Sequence, residues 1–198
     1  MNIMIAVTNM TAANGGVTTH IIDLCRELSN RGIKVILLSD EKDCDYKNKI
    51  GELLQIPNFK FETVDLSGVQ TNLNKIIKST KRIMQIVKKE QVDLIHTHSQ
   101  SLCVIGSIIK FFTGTPYIWT NHIDEMANPE LFKIVLKVLR FPIISVSTDL
   151  KNMLINDFGL KGSRIRVINN GIYAKDFYPL EENEKMNLNK SSTVKVSM

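Results

Sequence analysis

Cysteine is scarce: Cys25, Cys44 and Cys103 are the only three in 198 residues. Their odd number and wide spacing, without a Cys-x-x-Cys pair, exclude a disulfide framework and a zinc finger and read as free thiols of a reducing compartment. A secretory leader is also missing from the reading. Met1-Asn2 runs straight into Ile3-Met4-Ile5-Ala6-Val7, with neither a basic start nor a long apolar segment, so the protein is expected to start and stay in the cytoplasm. No uncharged run approaches the roughly 18 apolar residues of a spanning helix. Leu102–Phe112 is already broken by Lys110, which leaves peripheral contact as the form any membrane association would take. Internal repeats and low-complexity tracts are absent. The basic residues lack interleaved aromatics and no reader motif occurs, so a nucleic-acid partner is not expected.

What remains is an ordinary globular composition, 43% hydrophobic and 23% charged, with 25 Lys and Arg against 20 Asp and Glu for a net charge of +5. Short β-branched runs alternate with stretches of helical period, the pattern of an α/β domain on a doubly wound parallel sheet. Seven strands are predicted: Ile3–Val7, Lys34–Ser39, Lys60–Val64, Asp93–Thr97, Pro116–Thr120, Ile143–Val146 and Arg164–Ile168. Most are solid apolar runs, as strands covered on both faces require. Helices are predicted over Val17–Asn30, Tyr46–Leu54, Thr71–Glu90, Ser99–Phe112 and Pro129–Leu139, and from Ser147 to Phe158-Gly159. Gly32 and Gly159 are placed to supply left-handed residues after helices. The Thr71–Glu90 helix is predicted to turn Leu73, Ile76, Ile77, Thr80, Ile83, Met84 and Val87 inward. Its six basic residues against Glu90 carry a charge equal to the whole-chain surplus. From about residue 179 the chain turns polar and unpatterned. Residues 1–178 are therefore expected to form one domain, and 179–198 a linker with the first strand, from Thr193, of a truncated second domain.

Ligands of open α/β sheets bind beyond the carboxyl ends of the strands. After the first strand, Gly15-Gly16 opens a helix, where close backbone approach and the helix dipole suit a diphosphate; a plain flexible turn is the alternative. The loop has neither the glycines of a dinucleotide fingerprint nor a P-loop lysine. Asp40 and Glu41 read as turn residues. His96, His98 and His122 gather at strand ends and could make a three-histidine metal site, although a satisfied core histidine fits the spacing better. Asn169-Asn170-Gly171 suits a tight turn or a hinge, with Asn-Gly tolerating positive φ.

In their order, several segments resemble a known family. They are Gly15-Gly16-Val17 with His20, Asp93-Leu94-Ile95-His96-Thr97-His98, Pro116-Tyr117-Ile118-Trp119-Thr120-Asn121-His122, Ser145-Val146-Ser147, and Val167-Ile168-Asn169-Asn170-Gly171-Ile172 with Phe177 and Pro179. Over about residues 1–180 the chain resembles the N-terminal domain of a retaining family 4 glycosyltransferase. The resemblance implies a Rossmann-like sheet of about seven strands as one half of a GT-B fold. The activity it implies is transfer of a hexose from a nucleotide-diphosphate sugar to a glycan or lipid-linked acceptor, as in cell-surface polysaccharide biosynthesis. By that resemblance Gly15 and Gly16 lie against the donor diphosphate, and His122 sits beside the reacting sugar to orient it. His98, Thr120 and Asn121 line the cleft, and Asn170 and Gly171 mark its floor near the hinge. Neither a metal nor another cofactor is implied, the nucleotide sugar being a substrate.

Because the donor-binding half is absent from this reading, the chain alone is expected to be inactive. Its Thr71–Glu90 helix, with Lys133, Lys137 and Arg140, is a candidate for contact with anionic membrane at the inner face of the cell membrane. A solvated basic face is the alternative. Two rival functions stay open, a non-catalytic glycan- or nucleotide-binding module and a three-histidine metal hydrolase.

Overall fold

The β-branched runs become seven strands: β1 (Asn2–Ala6), β2 (Lys34–Asp40), β3 (Phe59–Val64), β4 (Leu94–Thr97), β5 (Tyr117–Asn121), β6 (Ile143–Ser145) and β7 (Ile165–Val167). Every boundary lies within one residue of the sequence reading. The computed structural model describes residues 1–8, 10, 15–41, 50–122 and 129–171. Within them the strands form one sheet in the order β3-β2-β1-β4-β5-β6-β7, every neighbour parallel. The order reverses direction between β1 and β4, so the chain leaves these two strands toward opposite sides and opens a crevice at their carboxyl ends.

Strand alternation divides the core in two. Ile3, Ile5 and Val7 of the β1 segment pack with Val35, Leu37, Ile21, Ile22 and Cys25, beneath helix α1 (Gly15–Asn30). Met4 and Ala6 point the other way, with Ile36, Leu38 and Ile95, against helices α2 (Leu73–Lys89), α3 (Leu102–Thr113), α4 (Pro129–Val138) and α5 (Thr148–Asn156). Helix ends follow the local chemistry. Asn72 caps α2 by accepting from the amides of Asn74 and Lys75, and Ser147 caps α5 by accepting from Leu150. Gly32 and Gly159 take φ of +79° and +65°, as expected after helices. The Arg164 guanidinium donates to the carbonyls of Leu136, Leu139 and Phe141, tying the chain after α4 to the start of β7.

The inward face of α2 is the one read in the sequence: Thr80, Ile83 and Val87 are buried and Ile76 and Met84 pack against the same core, joined by Ser79 and Ile86. Two of the expected residues depart from it, Leu73 and Ile77 being exposed. Of the predicted helix Tyr46–Leu54, residues 46–49 lie outside the described residues, Ile50 is helical, and Leu53–Gln55 is a single 3-10 turn. Asn170 and Gly171 are exposed and adopt no positive φ, and the tight turn expected there runs into residues outside the described ones. The expected domain boundary at 178/179, the linker and the strand from Thr193 lie outside the described residues. None of the described helices is long and apolar enough to cross a membrane.

The amino edge of the sheet is held by one buried carboxylate. Glu90, 7% exposed, accepts from Lys34 at 2.9 Å and Lys60 at 2.6 Å, which hold its pKa down at about 2. Glu90 thus answers charges on β2 and β3, while Lys75 of α2 is paired with Asp65. Asn2 adds three bonds there, donating from Nδ2 to the carbonyls of Glu90 and Gln91 and from its backbone amide to Asp93.

Candidate functional site

Four histidines converge at the carboxyl edge beside the switch point. Period-two alternation places Leu94 and His96 of β4 on the face that α1 covers, with His98 following them in phase. On β5, Ile118 and Thr120 share that face and His122 follows. Helix α1 brings His20 over the same spot, one turn beyond Gly16. The two loops are pinned across the crevice by Thr8, whose amide and hydroxyl both bond the Ser99 hydroxyl at 2.9 Å.

The four rings have different partners. His96 Nε2 meets the Thr120 hydroxyl at 2.6 Å and is buried, so His96 is the satisfied core histidine. His98 Nδ1 faces His122 Nε2 at 2.8 Å. The outer nitrogens of that pair, His98 Nε2 and His122 Nδ1, are buried without a hydrogen-bond partner among the described residues. His20 stands over both, its ring centroid 5.7 Å from His98 and 5.2 Å from His122. The trio expected from sequence therefore changes: His20 takes the place of His96, whose ring is occupied by Thr120. The signal for His20 was its spacing of one helical turn from the glycine pair. Nothing in the sequence, however, brings α1 next to the ends of β4 and β5.

Burial keeps these rings neutral. It holds the pKa of His122 down at about 4 and that of His96 at about 3, and holds His98 well below the usual imidazole range, with neighbouring imidazoles adding to each effect. His20 is lowered by burial too, against the opposing charge of Asp23. Neutral imidazoles at a crevice can orient a hydroxyl-bearing ligand or bind a metal ion.

The remaining candidates are spread along the edge. Gly15 and Gly16 are exposed as the first residues of α1, and a Cβ on either would meet no atom of the described residues within 4 Å, so packing among these does not account for them. Thr120 and Asn121 are buried in β5. Asn170 and Gly171 follow β7, two strands away from β5 in the sheet, and Asn169 Nδ2 donates to the Val146 carbonyl at 3.1 Å. Cys25 and Cys103 are free and buried, and burial raises both thiols, Cys103 to about 12, which makes them poor nucleophiles.

Known proteins share this fold. A solved glycosyltransferase from Rickettsia africae superposes with a TM-score of 0.78 at 20% identity, over 96% of this chain and 48% of its own. Anabaena HepE in complex with UDP and glucose gives a TM-score of 0.69 at 19% identity, over 96% of this chain and 49% of its own. Both show the fold, that of GT-B glycosyltransferases. In sequence, the chain is 29% identical over 118 residues to the Escherichia coli UDP-Gal:α-D-GlcNAc-diphosphoundecaprenol α-1,3-galactosyltransferase, covering 54% of this chain and 30% of that protein. The chain thus spans about half of these structures and less than a third of the curated relative. The model of Glycosyltransferase Family 4 matches residues 14–175, from the edge of the glycine loop past the last strand, and it is to this family that the chain belongs.

Proposed function

We propose that this chain is the acceptor-side half of a retaining glycosyltransferase that moves a hexose from a nucleoside-diphosphate sugar to a lipid-linked or glycan acceptor. The observation that carries this is the histidine-lined crevice at the switch point of a family 4 chain, opened by an exposed glycine pair that no packing among the described residues explains. The donor class is supported by UDP and glucose in HepE, and the acceptor class by the diphosphoundecaprenol-linked substrate of the Escherichia coli relative.

In this reading the amides of Gly15 and Gly16 and the dipole of α1 stabilise charge developing on the leaving diphosphate. His122, neutral and held by His98, orients the reacting sugar. Thr120 and Asn121 support that position from within β5, and Asn170 and Gly171 form the floor toward the other half. The transfer needs no metal or further cofactor. Residues 1–178 act as one unit, with 179–198 leading toward the donor-side half.

Contact with the inner face of the cell membrane belongs to the same reading, the basic helix α2 being joined by an apolar part at the end of α3 and the outer face of α4. Phe111 is 83% and Phe112 67% exposed, beside exposed Leu131, Ile134 and Val138. Lys110, Lys133, Lys137 and Arg140 lie along the same segments, so insertion of apolar side chains and attraction to anionic headgroups act together. Lys78, Lys81 and Arg82 of α2 extend the basic surface.

Titration of the purified chain with a short-chain polyprenyl-diphosphate-linked N-acetylglucosamine, with UDP-galactose and UDP-glucose added and UDP release followed, tests the proposal. An acceptor-side half binds the lipid-linked sugar, loses most of that affinity on His122→Ala, and releases no UDP alone. Absent acceptor binding, or sustained sugar transfer by the chain alone, would overturn it.

A further inference from the structure

Helices α3 and α4 are the crossovers from β4 to β5 and from β5 to β6, so both run from the carboxyl edge of the sheet to its amino edge, on the same face. A cleft opens at each end of the space between them. At the carboxyl edge Val104 of α3 lines it with Leu131, Phe132 and Val135 of α4, and Gln100 and Ser101 stand at the mouth. At the amino edge Ile108, Phe111 and Phe112 of α3 line it with Val138 and, just after α4, Leu139. Val104 and Ile108 are one turn apart on α3, as Val135 and Leu139 are on the α4 side, and all four are half-buried. The two clefts are successive stretches of one apolar furrow.

The furrow joins two places of the proposed function. Its mouth stands beside the histidine crevice, since Gln100 follows His98 by two residues, at most about 7 Å of chain. From Val104 it runs about 10 Å down α3 to Phe111. There it opens among the exposed Phe111, Phe112 and Val138, with Lys110 and Arg140 in its lining. Polar groups thus lie at the mouth, apolar groups along the length, and cations where the furrow meets the membrane-facing surface. An amphiphile follows the same order, with a sugar diphosphate at the crevice and hydrocarbon leading away from it. Val104 and Ile108 are recessed between the helices, where a single chain reaches them and a bilayer surface does not.

We infer that the furrow between α3 and α4 seats the first isoprene units of the lipid-linked acceptor and leads its chain from the crevice toward the membrane. This seat rests on the acceptor class proposed above and adds to it the part of the protein that recognises the lipid. Burial of hydrocarbon gains with the area removed from water, so affinity for the acceptor grows with the length of chain that the furrow covers.

Titration of the full chain, free of detergent and vesicles, with N-acetylglucosamine diphosphate carrying a methyl, geranyl or farnesyl group tests this. The farnesyl compound should bind about a hundredfold tighter than the methyl one, the gain from burying about three to four methylene groups, with the geranyl compound between them. Val104→Asn and Val135→Asn each change a half-buried furrow residue, and circular dichroism checks their fold. Each should leave methyl binding unchanged and reduce the farnesyl gain about tenfold, whereas Ile134→Asn, on the exposed face of α4, should leave the gain intact. Equal affinity for the three compounds, or a farnesyl gain that survives in folded Val104→Asn and Val135→Asn, would overturn the inference, and binding of the methyl compound would then leave the acceptor reading standing. Binding of none of the three would overturn both. A dimer in sedimentation that Val135→Asn dissociates would give the furrow to a second copy of the chain and overturn the lipid seat.

Discussion

Gly106 lies inside α3, where replacement by alanine ordinarily stabilises a helix by about 0.8–1.0 kcal/mol. Here the sign should reverse. An added Cβ would stand 2.3, 2.6 and 2.8 Å from three ring atoms of Tyr117. That ring cannot swing clear. It is 1% exposed, its hydroxyl bonds the Thr97 hydroxyl at 2.8 Å, and its face meets the edge of Phe141 at 4.8 Å between centroids. Overpacking of a close-packed core costs about 1–3 kcal/mol and at times more. Three contacts under 3.0 Å put this site at about 2–3 kcal/mol, so set against the helix gain Gly106→Ala should destabilise by about 1–2 kcal/mol, which for a chain of this size lowers the melting temperature by roughly 2–8 °C. Thermal melts by circular dichroism, paired with urea unfolding to confirm an unchanged slope, measure it. In a Tyr117→Val background the alanine penalty should disappear, exposing the favourable helix propensity. A Gly106→Ala chain that melts at or above the parent temperature would refute the reasoning, since it would mean that the Tyr117 ring yields freely.

Three further outcomes are expected. His96, His98 and His122 stay neutral when folded but protonate below about pH 6.5 when unfolded, so the unfolded state binds more protons and stability falls as pH falls, by roughly 2 kcal/mol for each buried histidine at pH 5. Glu90 adds to the loss further down, its contribution complete above about pH 4.5 and lost as pH falls toward about 2; urea midpoints that stay flat from pH 7 to 5 would count against the neutral histidines. Glu90→Gln removes the acceptor charge for Lys34 and Lys60 and should cost about 1–3 kcal/mol, measured by urea unfolding at pH 7. Double replacement of Phe111 and Phe112 by serine should weaken binding to phosphatidylglycerol vesicles about a hundredfold or more, at about 1.5–3 kcal/mol for each withdrawn aromatic side chain, and more than charge reversal of Lys78, Lys81 and Arg82; equal losses would place the contact on α2 alone.

The strands were legible because a parallel sheet buried on both faces needs unbroken apolar runs, and Ile3–Val7 or Lys34–Ser39 can satisfy little else. Ser147, Gly32 and Gly159 marked helix ends through chemistry that acts within a few residues. The exposure of Leu73 and Ile77 in α2 was less legible, since they are as apolar as the buried Ile83 and Ile86. Only tertiary contact decides which of them meets a neighbour. At the site, His98 and His122 were legible from their places after strands. His20 belongs with them through a tertiary contact between α1 and two strands far along the chain, which spacing cannot encode. The exposed pair Phe111 and Phe112 read as the end of an ordinary helix for a similar reason, because their exposure depends on where α3 runs past the sheet.

The Glu90 clamp and the histidine crevice occupy opposite ends of the same strands. Five residues of β1 at about 3.3 Å each separate them by roughly 17 Å, at which two unit charges interact by only about 1 kcal/mol at an effective dielectric of about 20. Charge changes at one end are therefore felt weakly at the other. The amino edge can be strengthened by directed evolution without retuning the imidazoles, and the carboxyl edge can trade one ligand for another while an independent anchor keeps the sheet folded.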